Sequence, residues 1–234
     1  MVSDPPNHPA APLVSRSIET IDFGHGPVKG MAHVNPDGSP GGWVALSANV
    51  HADCHISRNC FVMGNARVFD GSRVDDEAMV LDNAKVHGAL IAGDAMVGGV
   101  STVVQARVDG NARVGGRAHI AGGAHVTGDA KVGEDARILG PATIDGRASL
   151  GGRAWVSGGR ITDNAVVDGS AAIRPGAVID GDTHCSSGVF DAGPSARRPQ
   201  LEDEPVVSAK PGPGASSPNG PESPADGGVD SRIA

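Results

Sequence analysis

Residues 106–156 read ARVDGNARVGGRAHIAGGAHVTGDAKVGEDARILGPATIDGRASLGGRAWV, and an Ala-x-(Val/Ile/Leu) unit recurs through them every six residues. The pairs run Ala106/Val108, Ala112/Val114, Ala118/Ile120 and so on to Ala154/Val156. Two residues after each aliphatic stands a glycine (Gly110, Gly116, Gly122, Gly128), with Glu134 as the exception. Glycine at that frequency, at ~1 kcal/mol each in a helix interior, excludes a long α-helix. The 3.6-residue apolar period of a helix is missing as well. Alanine and aliphatic lie two apart, so on an extended segment they share one side, and the residue between them points away. Gly with Asp or Asn then makes a bend. Each repeat is a very short strand and a corner. It buries its apolar side only by coiling the chain so that the aliphatics face a common axis, with coils ~4.8 Å apart. The expected fold is an all-β, single-stranded parallel β-helix, a quasi-one-dimensional solenoid.

Carried in both directions, the register places Val44, Val50, Ile56, Val62, Val68, Val74, Val80, Val86, Ile91, Val97 and Thr102 inward before this stretch, and Ile161, Val167, Ile173 and Ile179 after it. Five-residue steps are read at 86→91, 97→102 and 156→161. That is about eight coils, or roughly 35–40 Å of prism. Residues 1–15 are Pro-rich and read as disordered. Residues 16–42 offer two short strands and a turn-rich loop, assigned as an N-terminal cap over the open first coil. The β-helix occupies 43–191, with 181–191 as a C-terminal cap, and the Pro/Gly/Ser-rich tail 192–234 reads as disordered.

Six-residue repeats with a core aliphatic and a small residue two places earlier resemble the hexapeptide-repeat superfamily of left-handed β-helices. That resemblance implies a triangular prism, three hexapeptides per coil, the left hand and a homotrimer. Asp22-Phe23-Gly24, Val28-Lys29-Gly30 and Gly41-Gly42-Trp43-Val44, followed by Asp53-Cys54-His55-Ile56, look like the opening of a YdcK-like subgroup of bacterial and phage proteins. Members of that subgroup are described, on the strength of their fold, as acetyltransferases. This chain has extra residues between Lys29 and Gly41.

Composition narrows the function classes. With 35 glycines and aromatics at 3%, a stacked Val/Ala core suits the chain better than a globular one. A net charge of −8 without a basic run speaks against nucleic acid. No apolar run reaches the ~20 residues of a membrane span. The N-terminus lacks a signal-peptide pattern, and three cysteines suit reduced thiols, so the expected location is cytoplasmic.

Function must then lie in the outward columns. Trp43, Phe61, Met63, Met79, Leu81 and Met96 fall on one face, which turns to Arg113 and Lys131 further along. Such an apolar column marks a subunit contact, or else a surface covered by segment 17–42. A second face, with His55, Arg73, Asp75, Arg107, Asp109 and His125, reads as solvated. In His51-Ala-Asp-Cys54-His55-Ile-Ser-Arg-Asn-Cys60 the cysteines take inward positions and the histidines outward ones. They cannot share one tetrahedral ion, so no metal site is assigned.

Three functions remain open. One is a non-catalytic trimeric scaffold, with a protein partner engaged through the C-terminal tail. The resemblance also implies a CoA-dependent acyltransferase with sites between subunits. There His119 or His125 would serve as general base, and Arg113 and Lys131 would bind the acyl-CoA co-substrate. A γ-class carbonic anhydrase would use His87, His119 and His125. The unbroken coils favour the scaffold, which has no cofactor.

Overall fold

The computed structural model describes residues 17–23 and 26–193. They form an all-β solenoid of about eight turns with no helix. Most strands are two or three residues long, as in Arg113–Val114 and His119–Ala121. Alone such strands are too short to persist. Stacking makes them parts of three sheets of 11, 9 and 8 strands, here sheets A, B and C. The chain passes A, B, C and returns to A, so each strand pairs in parallel with its counterpart one coil on. Trp43 pairs with Phe61, Phe61 with Met79, and Met79 with Met96 along sheet A. The core is the stack of inward aliphatics and alanines, with Ile56, Val80, Val126 and Ile144 fully buried.

The inward register stands with one correction. Val103, not Thr102, is the buried residue of strand Thr102–Val104, paired with Val86 and Ile120. The short step therefore falls at 103→108 rather than 97→102. Two adjacent β-branched residues offer either placement locally. Only the stacking between Val86 and Ile120 decides.

Corners turn through left-handed backbone. Gly116 has φ +60°, and a Cβ there would lie 2.4 Å from the Glu134 nitrogen, so only glycine fits. Some corners carry an acid in that strained region: Asp76, Asp82, Glu134 and Asp163. Each uses its carboxylate on the next coil. The N–H groups of Gly93, Gly99 and Gly181 donate to Asp76, Asp82 and Asp163 at 2.9, 2.8 and 3.0 Å, and that of Gly152 donates to Glu134. The acid that breaks the glycine rule thus staples its corner to the one below.

Ahead of the coils, β1 (Glu19–Asp22) and β2 (Pro27–Val34) form an antiparallel hairpin, and β2 pairs antiparallel with β3 (Pro40–Ala45), the first strand of sheet A that enters the coils. The loop between β2 and β3 closes the top of sheet C. Buried Asn35 accepts the Ile56 N–H at 2.9 Å, and His33 Nε2 donates to the Cys54 carbonyl at 3.0 Å. Sheet B starts at β4 (Asn49–Val50), and a hollow of about 300 Å³ lies beside it, bounded by Met31, His33, Leu46 and Val50.

At the other end the coil continues beyond Ile179. Strand His184–Cys185 extends sheet A and strand Val189–Phe190 extends sheet B, with Cys185 buried and Phe190 packed against the core. The segment assigned as a cap is thus a further part-turn of the solenoid. The readings of 1–15 and of the tail from 194 lie outside the described residues. Among the described residues no helix is long and apolar enough to cross a membrane.

Candidate functional site

Sheet A carries the most distinctive surface. Its strands place one residue outward on each side of the core aliphatic. Phe61, Met63, Met79, Leu81 and Met96 are half-buried there in the single chain. Trp43 is only 7% exposed. The hairpin accounts for this: Phe23 stands edge-on to Trp43 and Phe61, with centroids 5.6 and 5.5 Å apart. A Cβ on Gly30 would lie 2.4 Å from the indole, so glycine is what lets β2 close over the ring. The segment before the coils thus covers the top of the apolar column, and the column continues below it. Trp43 Nε1 is buried with no acceptor among the described residues. The aromatic cluster is held by packing, against a cost of ~1–3 kcal/mol for that lone donor.

Below Met96 the column turns cationic and flat. Arg113 lies between Met96 and Lys131 in register, and Lys131 is followed by Ser149. Both cations are exposed and make no ion pair among the described residues. On the other side of the core aliphatics, Met63 and Leu81 give way to Gly98, Gly115, Gly133 and Gly151. Together these make a shallow groove of about 580 Å³, bounded by Leu81, Met96, Arg113, Lys131 and Glu134.

Most of the described histidines are tied to a carboxylate, and those weighed as bases or ligands (His87, His119, His125) lie on sheets B and C. His87 contacts Asp70 at 3.1 Å and stacks on Phe69 at 5.3 Å. His51 contacts Asp53 at 2.7 Å and His184 contacts Asp168 at 2.9 Å. On sheet C, His125 Nε2 meets both oxygens of Asp109 at 3.1 Å. Asp109 is buried at 9% exposure. Burial raises its pKa, but hydrogen bonds from Thr127, Arg107 and His125 outweigh it and hold the carboxyl below its ordinary range. An ionised Asp109 fixes the Nε2–H tautomer of His125 and leaves Nδ1 as the free base nitrogen. His119 sits on sheet B between Thr102 and Arg137. His119 and His125 therefore stand on different faces, and neither lines the Arg113/Lys131 groove. His87 and His119 are two coils apart and flank opposite sides of the core column. Among the described residues no group of three or more His, Cys, Asp or Glu is placed to hold a metal ion.

Cys54 and Cys60 lie fully inside at the small inward position. Burial pushes their thiols up to about 11 and about 12, and it raises Cys185 in the same direction. These are packing thiols, poor as nucleophiles or metal ligands in the folded chain.

Two roles lay outside the sequence reading: Phe23 as the ring over Trp43, and Asp109, which was read on a solvated face and is buried. Asp109 had a usable signal, since its column on sheet C sets it beside Thr127. Phe23 had none, because a hairpin tip has no period to follow. A scan of the chain against protein-family models gives no match, and a search of curated proteins finds no similar sequence.

Proposed function

We propose that this protein is a non-catalytic, cytoplasmic β-helical scaffold that self-associates as a homotrimer through sheet A. The left-handed winding and the trimer belong to the hexapeptide-repeat resemblance and are part of this proposal. The observation that carries it is the column Phe61, Met63, Met79, Leu81 and Met96, still half-buried on a face that the hairpin covers only at its top. Apolar side chains gathered on one flat face are the usual mark of a protein contact. Among the described residues short corners join the coils, and His51, His87 and His184 are engaged in surface pairs with aspartate. Light scattering on purified protein at micromolar concentration tests this. A trimer mass is expected, and a monomer mass would overturn it.

A second reading rests on one observation, the Asp109–His125 pair beside Thr127. A CoA-dependent acyltransferase would use His125 Nδ1 as general base toward the attacking hydroxyl or amine. Arg113 and Lys131 would hold acyl-CoA phosphates along the sheet A groove of another subunit. In a single chain, base and groove lie on different faces, which favours the scaffold. Stabilisation against heat by millimolar acetyl-CoA or succinyl-CoA, lost in His125→Gln or Lys131→Ser, would support the enzyme. A γ-carbonic-anhydrase-like site finds less support, because His87, His119 and His125 do not converge in the chain.

A further inference from the structure

We infer that sheet B is a docking face for an acidic polysaccharide, which lies along the prism axis with its carboxylates on a rail of unpaired cations and a sugar ring on Trp155. This face is not the one assigned to self-association, and the binding proposed for it does not require the trimer.

The residue ahead of each core aliphatic on sheet B runs Arg67, Lys85, Thr102, His119, Arg137, Trp155, each in register with the next. Five coil steps at ~4.8 Å make this column roughly 24 Å long. Arg67, Lys85 and Arg137 are exposed and, among the described residues, make no hydrogen bond or ion pair through their side chains. Sheet C gives the contrast. Its arginines at the same position are neutralised on their own face, Arg73 by Asp75 at 3.0 Å, Arg160 by Asp145 at 2.6 Å and Arg107 by Asp109. Over the same coils the other side of sheet B holds no acid: Phe69, His87, Val104, Ala121 and Leu139 stand there. The acids that border the face are engaged, Asp70 with His87, Asp135 with Arg117, and Asp82 and Glu134 with glycine N–H groups of the next coil. A chain of net charge −8 thus leaves one face with cations and no acid of its own to answer them.

The neighbours of these cations set the class of anion. Beside Arg67 and Lys85 the corner opens into a groove of about 580 Å³ that Asn49, Asn65 and Asn83 also bound. Amides both donate and accept, which suits hydroxyl groups standing next to a charge. At the far end Trp155 is 42% exposed, in register with Arg137. An exposed indole beside a cation gives the apolar face of a pyranose a flat seat. Other polyanions fit less well. Phe69, Val104 and Leu139 are half-buried, so little apolar surface projects to enter a bilayer. A single strand of nucleic acid asks for aromatic rings under successive bases, and the cation column offers one, at its end. A linear polymer of uronic acids matches the column: carboxylates at intervals for Arg and Lys, hydroxyls between them, and ring faces that stack.

The test is isothermal titration of the full chain with polygalacturonate, set against dextran, single-stranded oligothymidylate and phosphatidylglycerol vesicles. Binding of polygalacturonate and not of dextran is expected, weakening as salt rises because counterions are released. Arg67→Ser with Lys85→Ser, and separately Arg137→Ser, should each weaken it roughly tenfold or more with melting unchanged. Arg113→Ser with Lys131→Ser, on sheet A, should leave it as it was. Trp43 is buried, so a blue shift of tryptophan emission on binding reports Trp155, and Trp155→Phe should abolish the shift. No binding of polygalacturonate, tighter binding of oligothymidylate or of vesicles, or a loss that follows the sheet A pair overturns the inference. Self-association is read separately as mass, so the scaffold reading stands or falls independently.

Discussion

On sheet A the residue ahead of each core aliphatic is Phe61, Met79 and Met96 in the early coils, and Arg113, Lys131 and Ser149 in the later ones. The inward partners barely change: Val62, Val80 and Val97 give way to Val114, Val132 and Leu150, all buried. Two lengths of one prism therefore share an interior and differ outside. The interior is fixed because each coil must stack on the next. The outward residue touches only its column, so it is free to encode a contact. The regular length 106–156 specifies shape, and the irregular length before it carries the distinctive outer surface.

The sharpest way to break this comparison is to put the same charge inside one length and outside the other. Val126→Asp buries a carboxylate with no partner and is expected to cost ~3–5 kcal/mol, seen as loss of the cooperative melt by circular dichroism. An unchanged melt would show the inward register to be wrong. Met79→Asp on the outer face should shift melting by no more than ~0.5 kcal/mol while lowering the mass seen by light scattering.

A smaller effect separates two neighbouring glycines. Gly116→Ala forces a side chain into left-handed backbone against the Glu134 nitrogen, and a loss of ~1–3 kcal/mol is expected. Gly115 has ordinary backbone, and a Cβ there meets nothing within 4 Å. Gly115→Ala should be neutral or stabilising by ~0.5–1 kcal/mol in urea titration. Equal losses at both would mean that corner and strand are not divided as described.

Next comes the hairpin. Phe23→Ala removes two edge-on ring contacts worth ~0.5–1.5 kcal/mol each. Trp43 should then emit further to the red, and an unmoved spectrum would show that the hairpin does not cover it. The smallest effect is alkaline. Cys60 is raised to about 12 in the fold, so the folded chain keeps a proton that the unfolded chain loses near ~8.5. Its contribution is complete below that value and declines as pH rises toward 12. Melting should fall gradually above pH ~9, and less so in Cys60→Ala. A decline of the same size in Cys60→Ala would assign it to other groups.

How much of this was legible follows from the same division. Period six gave the sheets, their order round the coil and nearly every inward residue, because stacking repeats the constraint in each coil. It slipped at Thr102/Val103, where a one-residue deletion left two β-branched neighbours to choose between. Coverage of the sheet A column by segment 17–42 was one of the readings the sequence left open, and the structure shows it at the top of the column; that Phe23 makes the contact was not legible, since it meets Phe61 through a non-repeating hairpin. The Asp109–His125 pair lay half in view: the sequence shows Asp109 on a polar face, but its burial comes from Arg107, Thr127 and His125 closing round one carboxylate.

The corner staples carry one more consequence, a mechanical one. Gly93, Gly99, Gly152 and Gly181 are each tied to an acid one coil back, and no coil reaches past its neighbours. Pulled from its two ends, such a stack behaves as links in series and not as a single knot. Among the described residues the last strand, with Val189 55% exposed, has a neighbour on one side only, while the first coil is braced by the hairpin. Under tension the chain should peel from its C-terminal end one coil at a time. Each release would lengthen it by roughly 60 Å, in a regular sawtooth whose teeth count the turns.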